Sequence, residues 1–124
     1  MRAASERFTN QEDRPGPRIA LDWWTMSQSI LQRRLVDVSE RLKRIRAELA
    51  VTEEQLLFLE EEAERQRMRA LVAETPLADV EARDARRHAD ALASHRDSLR
   101  VTVRELGQEQ DSLLDRISAE LSAR

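Results

Sequence analysis

Apolar residues recur along most of this chain at alternating intervals of three and four positions, the heptad pattern of helices that pack along one stripe. The pattern forms two runs, one on each side of Thr75 and Pro76. The first run comprises Leu31, Leu35, Val38, Leu42, Ile45, Leu49, Thr52, Leu56, Leu59 and Ala63. The second comprises Ala82, Ala85, Ala89, Leu92, Arg96, Leu99, Val103, Leu106, Gln110, Leu113 and Ile117. Two such runs predict two helices.

Thr75 and Pro76 predict the turn between these helices. Proline fixes its own φ angle and disfavours the helical conformation for the residue before it, so the first helix is expected to end there. Threonine at the N-cap and proline at the first helical position also begin a helix well. We therefore expect helix 1 at about 23–73, a turn at 74–76 and helix 2 at about 76–122.

The two runs match when the chain folds back on itself, so that Leu35 faces Leu113 and Leu42 faces Leu106. The predicted fold class is therefore all-α, a long antiparallel two-helix coiled-coil hairpin over residues 22–124. Two such hairpins could dimerise into a four-helix bundle. The stretch 5–18 contains Pro15-Gly16-Pro17 and shows no apolar period, and we expect a disordered N-terminal tail over residues 1–21.

Composition agrees with long helices, because 36% of the 124 residues are charged and 3% are aromatic. The chain has no cysteine, no apolar run long enough to span a membrane and no signal-peptide pattern, and we therefore expect a cytoplasmic protein. Lys43 is the only lysine among many arginines, which together with abundant alanine suggests a bacterial source. The net charge of −3 gives no general attraction to nucleic acid or to an acidic membrane surface.

Leu57 and Phe58 stand out because they occupy outward heptad positions between two seam leucines. Val51 lies on the same flank, so a lone hairpin would leave an apolar patch exposed to water. Such patches mark contact surfaces, and we expect a homodimer or protein-partner interface here. The alternative is a surface that is apolar by chance or for helix propensity.

Trp23 and Trp24 form a second candidate interaction site. Adjacent helical residues point about 100° apart, so only one of them can join the seam, and Trp24 continues the heptad. Either both rings plug the open end of the hairpin, or one anchors a partner, since tryptophan is enriched at interface hot spots.

The remaining charged groups predict no chemistry. Glutamates at 53–64 are expected to form a solvated face, and the basic residues at 33–46 lack the interleaved aromatic residues of a nucleic-acid site. His88 and His95 are about 10.5 Å apart along a helix, too far to share one metal ion. Arg96 faces Thr52 in the seam, where a polar pair would fix the helix register.

No pattern of an enzyme is present. The chain shows no Gly-rich phosphate loop and no Ser-His-Asp arrangement, and a two-helix hairpin offers no cavity in which to shift a pKa. We therefore expect no catalysis, no metal, no cofactor and no small-molecule substrate. The leading hypothesis is a non-enzymatic coiled-coil interaction or scaffold protein that self-associates or binds a helical partner.

Glu74, Asp79 and Glu81 near the turn suggest an alternative function. In this respect the chain resembles RNA polymerase secondary-channel factors, which insert a hairpin with an acidic tip, and as a bare hairpin it resembles export-apparatus stalk proteins of the flagellar type. These resemblances imply a regulator that inserts its tip into a larger machine such as RNA polymerase or an export ATPase. They concern architecture alone, and no motif assigns the chain to a family.

Overall fold

A computed structural model describes residues 17–123 and contains, in that range, two helices and no strand. Helix α1 comprises Pro17–Ala73 and helix α2 comprises Pro76–Ser122. The two long helices pack against each other as an antiparallel hairpin, which confirms the predicted all-α fold class.

Helix α1 begins at Pro17, six residues before the predicted start at Trp23. Proline suits the first helical position because its fixed φ is helical and its missing N–H would have no partner there. The heptad spacing also continues upstream through Leu21. Residues 17–21 therefore belong to the helix and not to the predicted tail, and the rest of that tail lies outside the described residues.

The turn forms as the sequence predicts. The Oγ1 of Thr75 accepts a hydrogen bond from the N–H of Ala78 at 3.2 Å, which is an N-cap of α2. The N–H of Asp79 then donates to the carbonyl of Thr75 at 3.2 Å. Glu74 closes α1 with a φ of 54°, in the left-handed region, and its N–H donates to the carbonyl of Ala70 at 3.1 Å.

The chain divides into two compact units, residues 38–110 and the two terminal portions. In unit 38–110 the buried apolar side chains come from the predicted seam, except for Ala78, which lies four residues before the second run; they fix how these stretches of α1 and α2 face each other. The seam residues among them are Val38, Leu42, Leu56, Ala63, Ala89, Leu99 and Leu106.

The other unit, described at 17–37 and 111–123, buries Leu31 and Leu113 in the same pattern. Gln28 is also buried, although it lies one step beyond the predicted run. Its Nε2 donates to Oε2 of Glu120 at 2.7 Å. In this unit the packing of the two helices therefore includes a polar pair.

Candidate interaction surfaces

A shallow apolar groove, called here the Phe58 groove, lies between α1 and α2 in unit 38–110. Phe58, Leu59 and Leu92 line it, together with Glu54 and Gln55. Leu59 and Leu92 are half-buried seam residues, whereas Phe58 is 63% exposed. The groove therefore extends the seam to the surface, with Phe58 as its exposed apolar wall.

Leu57 does not share this groove, although the sequence placed it on one flank with Phe58. It lines a different depression with Leu56, where Glu53, Glu60, Arg96 and Arg100 supply the charges. Adjacent residues of a helix point about 100° apart, and here that separation puts the two side chains in different grooves. Leu57 is exposed in charged surroundings, and Phe58 is exposed in apolar ones.

Val51 lies one heptad before Phe58 on α1, and its side chain is exposed. One further heptad upstream is Arg44, which lines a third depression with Glu40, Lys43 and Ala47. The aliphatic stems of long charged side chains cover apolar surface while their charged ends remain in water. This depression therefore presents the aliphatic stems of Lys43 and Arg44 as apolar surface, with their positive charges at its rim.

The two tryptophans take separate roles in the unit described at 17–37 and 111–123. Trp24 is half-buried, and its Nε1 donates a hydrogen bond to the backbone carbonyl of Glu120 at 3.5 Å. Trp23 is 74% exposed. Trp24 thus follows the predicted heptad, while Trp23 presents its indole to solvent and is the one available for a partner.

The turn region carries exposed apolar side chains on both helices. In α1 they are Met68, Leu71 and Val72, and in α2 they are Leu77 and Val80. Val72 is 86% exposed, more than any other large apolar residue in the described part of the chain. The buried side chain nearest the turn is Ala78, which is too small to cover these neighbours.

The three predicted tip residues are all exposed, at Glu74, Asp79 and Glu81. Asp79 lies in the first turn of α2, where a carboxylate stabilises the positive end of the helix dipole. Glu74 is different, because a residue with a Cβ atom is disfavoured in the left-handed conformation by about 1–2 kcal/mol. Glycine would remove that strain, so the glutamate is held at this position at some loss of stability.

Several glutamates of α1 are paired within the helix. Glu64 accepts a hydrogen bond from Nη2 of Arg67 at 2.8 Å, which lowers the pKa of Glu64 and raises that of Arg67. The pKa of Glu62 is lowered by hydrogen bonds from Gln66 and from Arg65.

One ion pair and one hydrogen-bonding contact to a histidine link the helices in unit 38–110. Glu53 Oε1 lies 3.1 Å from Nη2 of Arg100. Glu48 Oε1 lies 3.2 Å from Nε2 of His95, a contact that becomes an ion pair when the histidine is protonated. Exposed pairs of this kind select a pairing more than they stabilise it.

The structure brings together no metal-binding cluster of three or more His, Cys, Asp or Glu side chains among residues 17–123. Thr52 is buried, and the guanidinium of its seam partner Arg96 reaches outward to Asp97 at 3.1 Å. In the same part of the chain, neither helix has a stretch apolar enough to cross a membrane.

The apolar residues around the turn were not predicted as a site from sequence. A usable signal was present, because Leu71, Val72 and Leu77 fall outside the seam spacing. Leucine and valine at outward positions beside an alanine-lined seam remain exposed, because the small alanine side chains do not cover them. The same reasoning that selected Leu57 and Phe58 applies to them.

The chain matches no protein-family model, and neither a curated protein nor a solved structure is significantly similar to it.

Proposed function

We propose that this chain is a non-enzymatic coiled-coil interaction or scaffold protein of the bacterial cytoplasm, which self-associates or binds a helical partner. The observation that carries the proposal is the Phe58 groove, in which a 63% exposed aromatic side chain adjoins half-buried Leu59 and Leu92. Aromatic residues dominate the binding energy of interfaces when they become buried at their centre.

A helical partner suits this surface because the groove runs between two helices. An amphipathic helix that lies in such a groove places its apolar side chains at intervals of three and four residues. Full burial of a phenylalanine side chain stabilises a complex by about 1.5–3 kcal/mol before the entropy of association is subtracted. Occupation of the groove would create a layer of three helices, or of four if the partner is a second hairpin.

Oligomeric mass and Phe58→Glu test this proposal. Light scattering over a range of concentrations should show the unmodified chain exceeding its monomer mass of 14.4 kDa, while the variant remains monomeric. The matched control is Val101→Glu, which places the same charge at an exposed valine of α2 and should behave like the unmodified chain. Circular dichroism should show equal helicity in all three proteins.

If the unmodified chain is monomeric at the highest concentration, self-association is excluded and the proposal that the chain binds a helical partner remains. That version is tested by affinity capture from a lysate of the source organism, followed by measurement of the isolated pair. The captured protein should bind the unmodified chain and Val101→Glu equally, and Phe58→Glu at least tenfold more weakly. Equal binding by Phe58→Glu would show that the Phe58 groove is not the interface.

A second candidate function is a regulator that inserts its turn into a larger assembly. Two observations favour it, namely the exposed Leu71, Val72 and Leu77, and the left-handed Glu74. Strained residues cluster at functional sites, where the strain is retained for a purpose. The acidic side chains of Glu74, Asp79 and Glu81 would suit a basic recess that also accepts apolar groups.

The tip function is tested by a variant in which Glu74, Asp79 and Glu81 are all alanine. It should fold normally and lose binding to the assembly captured by the unmodified chain, whereas Phe58→Glu should retain it. Loss with Phe58→Glu and retention with the triple variant would assign binding to the groove instead.

A further inference from the structure

The Phe58 groove differs in charge from the depression that Leu57 lines, called here the Leu57 depression. Two glutamates and two arginines line the Leu57 depression, and one pair of them, Glu53 and Arg100, is in contact at 3.1 Å. The residues that line the Phe58 groove include one carboxylate, that of Glu54, and no lysine or arginine. The Leu57 depression therefore carries both signs of charge, whereas the Phe58 groove is apolar with an acidic edge.

Carboxylates also border Phe58 along α1, because residues three and four positions apart are neighbours on a helix surface. Its four neighbours of this kind are Glu54, Gln55, Glu61 and Glu62. Glu62 is paired with Arg65 at 2.7 Å. In the described part of the chain Glu54 and Glu61 have no ion pair, and both are exposed. Phe58 therefore lies between two unneutralised carboxylates, one a turn before it and one a turn after it.

Four arginines lie in the facing stretch of α2, and each has an acidic partner other than these two glutamates. The pairs are Arg86 with Asp90, Arg87 with Asp84, Arg96 with Asp97, and Arg100 with Glu53. Leu92 is the α2 residue that lines the Phe58 groove, and the residues one turn from it include His88 and His95. His95 contacts Glu48. Within unit 38–110 the hairpin thus leaves negative charge beside this groove.

We propose that the occupant of the Phe58 groove is an amphipathic helix of another protein, with basic residues on both sides of its apolar stripe. The inference rests on the proposed function, in its partner-binding form, and names the chemistry of the partner. The apolar stripe would cover Phe58, Leu59 and Leu92. Lysine or arginine side chains would reach Glu54 and Glu61, which are separated by about 10.5 Å along α1, the distance between two basic residues seven positions apart on the partner.

The same charges disfavour a second copy of the chain bound groove to groove. Residues 47–64, which include Phe58, contain seven glutamates and no lysine or arginine. The basic stretch of the chain, residues 41–46, cannot be the partner helix, because its apolar side chains Leu42 and Ile45 lie in the seam of their own hairpin. Charge therefore favours a basic helix of different sequence.

Two synthetic helical peptides test the charge of the partner. One has leucine at intervals of three and four residues with lysine at the flanking positions, and the other has glutamate in place of each lysine. Fluorescence anisotropy of the labelled peptides should show that the unmodified chain binds the lysine peptide, and that it binds the glutamate peptide about tenfold more weakly or less. Equal binding of the two peptides, or no binding of the lysine peptide, would overturn the inference.

Alanine substitutions test whether the lysine peptide occupies the groove. Phe58→Ala keeps every charge of the chain, so a purely electrostatic attraction would survive it, whereas binding in the groove should weaken about tenfold. Leu57→Ala is the matched control, since it removes the adjacent exposed side chain from the Leu57 depression, and it should leave binding unchanged. Circular dichroism establishes that both variants fold.

Charge removal tests the acidic edge of the groove. Glu54→Gln combined with Glu61→Gln should weaken binding of the lysine peptide in low salt, where exposed charges are least screened. The matched control, Glu105→Gln combined with Asp111→Asn, removes the same number of charges from exposed positions of α2 and should bind like the unmodified chain. Equal loss in the two double variants would indicate a general attraction to an acidic protein and overturn the inference.

Light scattering separates this inference from the wider proposal. A dimer of the unmodified chain that Phe58→Ala or the lysine peptide dissociates would make a second copy the occupant, which overturns the inference and leaves the proposed function intact. The proposed function fails separately, if a partner captured from a lysate binds Phe58→Glu as tightly as the unmodified chain.

Discussion

The side-chain amide of Gln28 donates a hydrogen bond across the two helices to the carboxylate of Glu120, with 2.7 Å between Nε2 and Oε2. Gln28 is only 5% exposed, and its Oε1 is buried without a hydrogen-bond partner in the described chain. The hydroxyl of Ser27 donates to the same carboxylate at 3.2 Å. A polar pair within an apolar seam favours one helix register at a cost in stability.

Removal of one partner of this pair should therefore lower the local stability more than removal of both partners. Glu120→Leu leaves the buried amide of Gln28 without an acceptor, which costs about 1–3 kcal/mol. Gln28→Leu combined with Glu120→Leu should recover most of that loss, because apolar side chains replace both groups. Hydrogen exchange at residues 27–31 measures the local free energy, and each 1.4 kcal/mol changes protection about tenfold. Equal exchange in the two variants would contradict the prediction.

Glu74 offers a stabilising substitution at the turn. Glu74→Gly removes the Cβ strain of the left-handed conformation, about 1–2 kcal/mol, while glycine adds about 0.4–1 kcal/mol of unfolded-state entropy. We expect a net gain of about 0.5–1 kcal/mol in the free energy of unfolding, measured by urea denaturation. Glu74→Ala keeps the Cβ and removes the charge, so it should not stabilise. A gain with alanine equal to that with glycine would assign the effect to charge instead of backbone strain.

At Gly107 a substitution away from glycine is expected to stabilise the protein, because this residue lies inside α2. A Cβ atom placed there meets nothing within 4 Å. Gly107→Ala should therefore raise the free energy of unfolding by about 0.5–1 kcal/mol, since alanine restricts the unfolded chain and suits a helix. Urea denaturation measures it, and Gly107→Val is the matched comparison, with a smaller gain because β-branching opposes helix formation. No change with alanine would indicate that this part of α2 unfolds before the global transition.

The seam could be predicted because heptad spacing reflects which positions are buried, and Leu42 and Leu106 are buried as expected. The start of α1 could not be predicted, because Pro15-Gly16-Pro17 is typical of a tail, whereas Pro17 is the first residue of the helix. Proline breaks a helix in its interior but favours the first position. Which role applies depends on whether a helix follows directly, and the residues around Pro17 do not show this by themselves.

The candidate site was predicted in part. Outward heptad positions identify Leu57 and Phe58 as exposed, as both are. Whether exposed residues share a groove depends on the helix opposite, which supplies Leu92 to Phe58 and supplies Arg96 and Arg100 to Leu57. The pattern along α1 shows that both side chains are exposed but not which side chains of α2 border each one, so the division of this flank required the structure.

The Arg67–Glu64 contact leads to a prediction about pH. The hydrogen bond from Arg67 lowers the pKa of Glu64, so the carboxylate is more acidic folded than unfolded. A lowered folded pKa contributes stability above the unfolded value, about 4.3, and that contribution is lost as the pH falls through the folded value. Because both groups are exposed, the expected signal is the titration itself and not a change in global stability. Carboxyl NMR should show that the pKa of Glu64 is lower in the folded protein than in the unfolded chain, and Arg67→Gln should raise it towards the unfolded value. Arg65→Gln, its matched control, should move Glu62 and leave Glu64 unchanged, whereas a shift of Glu64 with that control would mean that the general charge of the helix sets its pKa.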